Sequence, residues 1–435
     1  MVSFVLRDIG RLGHLDMEAT EMAVRSAMHQ VGASFLEKLL SLSDRSHTTS
    51  NTDCGQGHQA KFVDYRTKHV YTILGPINIR RPYHHCVLCK KGIIPRDQDL
   101  DIVGTSFSPG VRRMMALVGG KESFEEGQRD LAELAGIVIK TKEVERISEN
   151  IGKQIECTDS QERQAIWDGK LTPLTPPVPK LYIAIDGTGV PVVPYETEGR
   201  RGKYEDGRAR TREAKLGCVF TQTKIDDRGH PIRDPETTTY VGAIENVEVF
   251  GMRIYAEAVR RGLHTSTQTI VLGDGAPWIW GLANEHFPGA KKIVDLYHAR
   301  EHISNVGKSL GAVPGFDVDN WVSERTDELN NGDVEKVIAG LERLQPKAEK
   351  AKDEARKAIG YFQTNAERMR YSQFRSQGLF IGSGVVEAGC KVVVGRRLKQ
   401  SGMRWTVKGA NAIISLRCCQ LSRHWDEYWE NRALG

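Results

Sequence analysis

Residues Met17–Leu42 carry apolar side chains at helical spacing with no proline, which predicts an amphipathic helix. The polar run Ser43–Asp53 ends it. Two β-branched and aromatic runs follow, Lys61–Tyr71 and Leu74–Tyr83, with a turn at Leu74-Gly75-Pro76; they predict a β-hairpin with cysteines at its base. Three short helices are expected at Ser108–Val118, Ser123–Leu134 and Thr141–Ile155, punctuated by Gly119-Gly120 and Gly136. The last two, joined by a short turn, have the pattern of a helix-turn-helix, with a plain three-helix bundle as the alternative. Thr172–Pro179 holds four prolines and predicts a stiff linker.

Beyond the linker the pattern changes. Leu181–Asp186 is a continuous apolar run ending in an acid, as a buried strand would be. Lys215–Ile225 and Thr238–Ile244 predict two more strands, and Val247–Arg261 a helix. Strand Thr269–Asp274, helix Pro277–His286, strand Lys291–Leu296 and helix Tyr297–Leu310 then alternate. Residues 316–376 are charged and helix-periodic, and Val385–Leu398 and Val407–Trp429 predict two final helices. A few strands first, then alternating β and α, indicate an α/β fold with a mixed sheet and an all-helical insertion. The expected organisation is a helical segment at 1–50, a hairpin at 51–100, a helical region at 101–170 and a linker at 171–180. A catalytic core at 181–310, a helical insertion at 311–380 and returning core helices at 381–435 complete it.

The chain has 435 residues, 39% hydrophobic and 27% charged, with a formal net charge of +5. That composition suits a folded protein of several domains. No run of apolar residues is long enough for a membrane span, and the first residues lack a signal-peptide pattern. Eight cysteines in this length do not make a disulfide scaffold, so a cytoplasmic setting and metal-binding cysteines are expected. The charge is unevenly spread. Residues 61–96 hold eight Lys/Arg against one acid, Asp64, and 388–425 hold eight Lys/Arg and no acid. Residues 200–215 carry seven basic and three acidic side chains. Such clusters mark polyanion surfaces, although a solvated helix face also carries charge.

Two of the strand-like runs end in Asp-Gly, at Asp186-Gly187 and Asp274-Gly275. Ligands of open α/β sheets bind just beyond the carboxyl ends of the strands. Two carboxylates there suit Mg²⁺ or Mn²⁺, hard cations that take oxygen ligands. Each also has a plain structural alternative: Asp-Gly is an ordinary turn, and Asp274 could cap the helix that begins at Pro277. Glu387 leads the acid-free basic stretch, with Lys391 one turn away on the same helix face.

In this order the chain contains Asp186-Gly-Thr-Gly-Val-Pro191, Leu272-Gly-Asp274-Gly-Ala-Pro-Trp278, Asp295-Leu-Tyr-His298, Gly382-Ser-Gly-Val-Val-Glu387-Ala and Gly395-Arg-Arg-Leu-Lys-Gln-Ser-Gly-Met-Arg-Trp405. The set resembles the ISKra-type bacterial insertion-sequence transposases, relatives of the Mutator-like superfamily. The resemblance covers most of the chain and is densest from 180 to 425. It implies a ribonuclease-H-like catalytic domain and a DDE triad of Asp186, Asp274 and Glu387 holding two Mg²⁺ or Mn²⁺ ions. Asp295-x-x-His298 looks like the superfamily's (Cys/Asp)-x-x-His signature, with His298 catalytic or in contact with DNA; a structural Asp–His hydrogen bond is the alternative. The implied activity is cleavage at the element's ends and joining of the 3′-hydroxyl to target DNA. Double-stranded DNA (terminal inverted repeats and target) is the implied partner, a homo-oligomer on DNA the implied assembly, and association with the nucleoid the implied location. Lys391, Arg396, Arg397, Lys399, Arg404 and Trp405 are the expected DNA contacts, with Trp278 and Trp280 read as core.

Cys86-x-x-Cys89 has the spacing of a zinc knuckle and needs a second ligand pair. The resembling family usually supplies two cysteines before the hairpin, whereas this chain has only Cys54. His58 gives Cys-x₃-His and would complete four ligands for Zn²⁺, with His84 and His85 as alternative ligands and a metal-free hairpin as the alternative to a zinc site. Cys157, Cys218, Cys390, Cys418 and Cys419 are expected as buried small hydrophobes. Two rival functions share these features: a non-catalytic zinc and helix-turn-helix DNA-binding protein, and a nuclease that cuts without joining.

Overall fold

The computed structural model describes residues 16–42, 51–202, 206–311 and 316–432. The expectations for 1–15, 43–50 and the centre of the basic run 200–215 (residues 203–205) lie outside the described residues. Among the described residues no helix is long and apolar enough to cross a membrane. The chain divides into two compact units, residues 1–149 with 427–435, and residues 150–426.

In the first unit, helix α1 (Met17–Leu42) precedes a four-stranded antiparallel sheet of β1 (Thr52–Asp53), β2 (Gln59–Thr72), β3 (Gly75–Cys86) and β4 (Lys91–Ile93), in that spatial order. The β2–β3 hairpin runs in register from Thr72↔Gly75 to Lys61↔His85, with a bulge between Phe62 and Asp64. Val70, Ile77, Ile79 and Ile102 form its core, against which Ala33, Leu36 and Leu40 of α1 pack. Part of the local positive charge is consumed inside. Arg81 (2.7 Å) and Lys68 (3.2 Å) pair with Asp97, and Arg96 donates to the Leu40 carbonyl (3.2 Å).

A short helix α2 (Pro95–Asp99) leads to α3 (Pro109–Lys121), α4 (Phe124–Ala135) and α5 (Thr141–Trp167). Ser108 caps α3, and Ser123 with Glu126 forms a capping box on α4. Gly136 at φ 67° closes α4 in the left-handed conformation that glycine tolerates. Two expectations change here. Gly119 and Gly120 lie within α3, not after it. Helix α5 does not stop at Ile155 but continues to Trp167, because the apolar spacing of Val144, Ile147, Ile151, Ile155 and Ile166 is maintained and no breaker intervenes before Gly169. As the second helix of the expected helix-turn-helix, α5 ties up its own basic residues: Lys142 pairs with Glu145 (3.0 Å) and Arg146 with Glu143 (2.6 Å).

The second unit is built on a five-stranded sheet in the order β11-β10-β5-β6-β9. Its strands are β5 (Val178–Pro191), β6 (Thr211–Gln222), β9 (Thr239–Ala243), β10 (Ser266–Gly273) and β11 (Lys291–Val294); β7 (Lys224–Ile225) and β8 (Pro231–Ile232) form a small separate pair. The first strand, β5, is central. It pairs antiparallel with β6, which pairs antiparallel with β9, while β10 and then β11 add in parallel on the other side. Strand β5 is apolar on both faces because both are covered, and Leu181–Ile185 are fully buried. Helix α6 (Val247–Arg260) follows β9, α7 (Pro277–His286) joins β10 to β11, and α8 (Leu296–Leu310) leaves β11. The expected helical insertion comprises α9 (Val318–Asn331), α10 (Val334–Glu342), α11 (Glu349–Asn365) and α12 (Tyr371–Ser376). The chain then returns through α13 (Gly384–Gly389), a π-helical turn (Cys390–Gly395), α14 (Arg396–Leu398), α15 (Val407–Leu421) and α16 (Trp425–Arg432), the last crossing into the first unit. Both stretches expected as single helices are thus interrupted, Val385–Leu398 by a π turn and Val407–Trp429 by the turn at residues 422–424, where Arg423 has φ 65°.

Candidate functional sites

The sheet register brings two acids together. Leu272 of β10 faces Ala184 of the parallel strand β5, and Asp274 and Asp186 each lie two residues further on. They therefore occupy equivalent register positions on neighbouring strands: Asp274 directly follows the last residue of β10, whereas Asp186 lies within β5, which does not end at the acid as expected but stays paired with β6 as far as Pro191. Asp186 is half-buried and accepts from the Gly187 N–H (2.7 Å). Burial pushes its carboxyl above the ordinary value, and the charge of Asp274 adds to that push. The Cys390 thiol, the Gly187 N–H and His298 act in the opposite direction. Asp274 accepts from the Ala276 N–H (2.9 Å) at the start of α7. The Asp274-Gly275 turn requires glycine: Gly275 has φ 102°, and an added Cβ would lie 2.5 Å from the Tyr361 ring.

Asp295 joins the other two elements of the site. Fully buried at the N-terminus of α8, it accepts from the His298 backbone N–H (2.8 Å) and from the Ser383 N–H. The Leu296 N–H also donates to the Ile381 carbonyl (3.0 Å). The start of α8 is thereby fastened to the segment that leads into α13. The result is a His298 Nε2 that lies 3.9 Å from Glu387 Oε1, while Ser383 Oγ donates to the same carboxylate oxygen (3.0 Å). The expected Asp–His contact is made through the His298 backbone, and the imidazole itself faces Glu387 and Glu301. Among the described residues, the three carboxylates do not form a set with all ligand atoms within 4.8 Å of one another, as the hairpin cluster does.

Three neighbours were not singled out by sequence reasoning. Tyr361, on α11 of the helical insertion, donates to the Asp274 carbonyl (2.9 Å). His302, one turn after His298, stacks on the Tyr361 ring at 3.9 Å, and burial lowers its pKa. Cys390, in the π turn directly after α13, holds the Asp186 carboxylate; burial and that carboxylate push its thiol far up. The His298–His302 spacing of four was visible in sequence. The Tyr361 and Cys390 contacts link distant stretches and had no local signal.

The basic run divides in two. Lys391, Arg396, Lys399 and Arg404 are exposed, and Lys399 reaches Thr188 beside the first acid. Arg397 and Trp405 depart from the expectation of DNA contact. Arg397 is completely buried with its guanidinium 5.0 Å above the Trp405 ring, and the Trp405 indole N–H donates to the Leu398 carbonyl (3.1 Å). A side chain with an apolar body and one satisfied polar handle serves as core. Arg417 is also internal and donates to the Val392 and Val393 carbonyls, acceptors within the π turn. Trp280 is core as expected, and Trp278 is half-buried. A cleft of about 1130 Å³ is lined by Tyr195, Arg200, Arg208, Arg210 and Arg404. Arg210 pairs there with Asp206 (3.0 Å), so part of the 200–215 charge is internally balanced.

In the first unit, Cys54, His58, Cys86 and Cys89 bring one ligand atom each to within 4.8 Å of one another, a set that could hold a zinc ion. Cys54 Sγ lies 3.6 Å and His58 Nδ1 3.2 Å from Cys89 Sγ, and the Cys89 N–H points to Cys86 Sγ (3.4 Å). The Cys54 N–H closes a tight loop on the His58 carbonyl (2.9 Å), which brings the Cys-x₃-His pair together. Desolvation opposes the Cys54 thiolate, but backbone hydrogen bonds from His58 and Gln56 bring its pKa down to about 7. Cys89 is pushed up to about 11 by desolvation and by the Cys54 and Cys86 sulfurs. Crowded sulfurs of this kind are relieved by a cation. His84 is buried in the hairpin and is not part of the set. Of the other cysteines, Cys218, Cys390, Cys418 and Cys419 are buried as expected, whereas Cys157 is exposed because its position on α5 faces away from the core.

No curated protein matches this chain. Among solved structures, the Drosophila P element transposase strand transfer complex aligns with 9% sequence identity over 76% of this chain and 83% of that chain, with a TM-score of 0.24. So loose a likeness carries no argument about fold or chemistry. Residues 13–424 match the family described as Uncharacterised protein family (UPF0236), nearly the full length. The chain belongs to that family.

Proposed function

We propose that this protein is a DNA transposase of the DDE type, with Asp186, Asp274 and Glu387 as its metal-holding acids. The observation that carries the reading is the register-equivalent placement of Asp186 and Asp274 on adjacent parallel strands, with Glu387 held beside His298. A central first strand continued on one side by two strands in antiparallel succession and on the other by two parallel strands supports a ribonuclease-H-like sheet. The raised pKa of Asp186 supports the same reading, since a buried carboxylate near a second one is stabilised by a cation. Two Mg²⁺ or Mn²⁺ ions bound by these acids would supply the Lewis acidity for phosphodiester cleavage and strand transfer.

The chain's own residues do the rest. Asp295 and Ser383 hold Glu387 and His298 in place, and Tyr361 fastens the turn that presents Asp274. Lys391, Arg396, Lys399 and Arg404 offer exposed positive charge to DNA phosphates, which gives salt-sensitive binding. The hairpin cluster would hold Zn²⁺, which would stiffen the first unit.

The test is cleavage of DNA bearing the flanks of this gene's own element, in Mg²⁺, Mn²⁺ or EDTA. Metal-dependent cuts at the ends are expected from the wild type. Glu387→Gln should reduce them by about 100-fold or more through loss of a ligand charge, with DNA binding retained in a gel-shift assay. Equal cleavage by the variant would overturn the assignment.

A further inference from the structure

Helix α1 is apolar on two opposite faces, and its own unit covers one of them. Ala33, Leu36 and Leu40 pack on the hairpin core. The other face presents Met17, Val24, Met28, Val31, Phe35 and Leu42, which are 57% to 65% exposed. A helix of a solitary soluble domain normally turns one stripe inward and a polar face outward. The exposed stripe also follows the alternating steps of three and four that define a coiled-coil seam, with Glu21 and Lys38 at the two seam positions that are not apolar.

We propose that α1 pairs with α1 of a second copy as an antiparallel two-stranded coiled coil. The polar positions choose the orientation. In a parallel pair Glu21 would face Glu21 and Lys38 would face Lys38. In an antiparallel pair centred between His29 and Gln30, Met17 faces Leu42, Glu21 faces Lys38, Val24 faces Phe35 and Met28 faces Val31. Every apolar seam residue then meets an apolar one, and the two charged positions meet with opposite sign at both ends. Helix α1 has 26 residues and so extends about 39 Å, long enough for all of these layers. Six side chains covering roughly 100 Å² each bury about 1,200 Å² between two copies, the size at which specific interfaces begin. This surface lies outside the carboxylate site, and the inference does not depend on the chemistry assigned to those acids.

The test is the mass of the full-length protein by light scattering after gel filtration, between about 1 and 100 µM. A dimer is expected from the wild type. Phe35→Glu should give a monomer with unchanged circular dichroism. Glu21→Lys and Lys38→Glu should each weaken the dimer by about tenfold, and the double variant should restore it, because the charges again meet with opposite sign. A monomeric wild type, a dimer indifferent to Phe35→Glu, or a double variant no better than the single ones would each overturn the proposal. The last result would also be the signature of a parallel pair.

Discussion

Asp186 stands where burial and a second carboxylate both work against its charge. Its pKa is raised in the folded protein, so the fold holds the proton more tightly than the unfolded chain does. The sign follows: the ionised group costs stability at neutral pH, and that cost disappears once pH falls below the ordinary carboxylate range. In metal-free protein, Asp186→Asn should therefore raise the melting temperature by a few degrees at pH 7. The gain should vanish near pH 3.5, where the wild-type carboxyl is itself protonated. A thermal melt series across that range checks it, and a gain that persists at low pH would contradict the burial argument. At this scale the identity of the acids was legible, because each closes a recognisable apolar run or precedes a basic one. The internal fate of Arg397 and Arg417 was not. Charge in a sequence carries no sign of which side chain a neighbouring carbonyl or ring will capture.

Helix α5 shows what governs an element. Its outer part carries Glu156, which forms a bidentate pair with Arg253 (2.8 Å), a bond to Arg163 (3.0 Å) and a contact with Ser415 (3.2 Å). Burial alone would push this carboxyl up, but the two guanidinium groups bring its pKa down to about 2. Glu156→Gln should cost about 3 kcal/mol at neutral pH, since it leaves the buried Arg253 with only Glu245. A depressed pKa gives stability that is complete above the unfolded value and lost as pH falls. The gap between variant and wild type should therefore close between about 4.5 and about 2. Urea unfolding at several pH values measures it. The helix also depends on Gly152, where an added Cβ would lie 2.0 Å from the Ala412 carbonyl oxygen. Periodicity predicted that α5 exists and where it starts. Its end and its close crossing were set by partners far away in the chain.

The whole molecule has two compact units, each with its own apolar core. The cysteine cluster lies in the first, the acids in the second. Calorimetry of the zinc-loaded protein should show a transition that a chelator lowers, by about 10 °C or more, and another that it leaves in place. Plasma emission should count one zinc per chain, and Cys86→Ser should remove it. A chelator that shifts neither transition would separate the cluster from stability.

From the sequence by itself came the α/β character, most of the run of strands and helices, the hairpin with the four residues of its Cys/His cluster, and the three candidate acids. These features are written in local alternation, helical spacing and the ends of apolar runs, which nearby residues determine through backbone geometry. Strand order, the equivalence of Asp186 and Asp274, the fastening of Glu387 through Asp295 and Ser383, and the reach of Tyr361 to Asp274 were decided only by the tertiary structure. Such contacts join stretches separated by tens to hundreds of residues, and no local preference encodes which of them will meet.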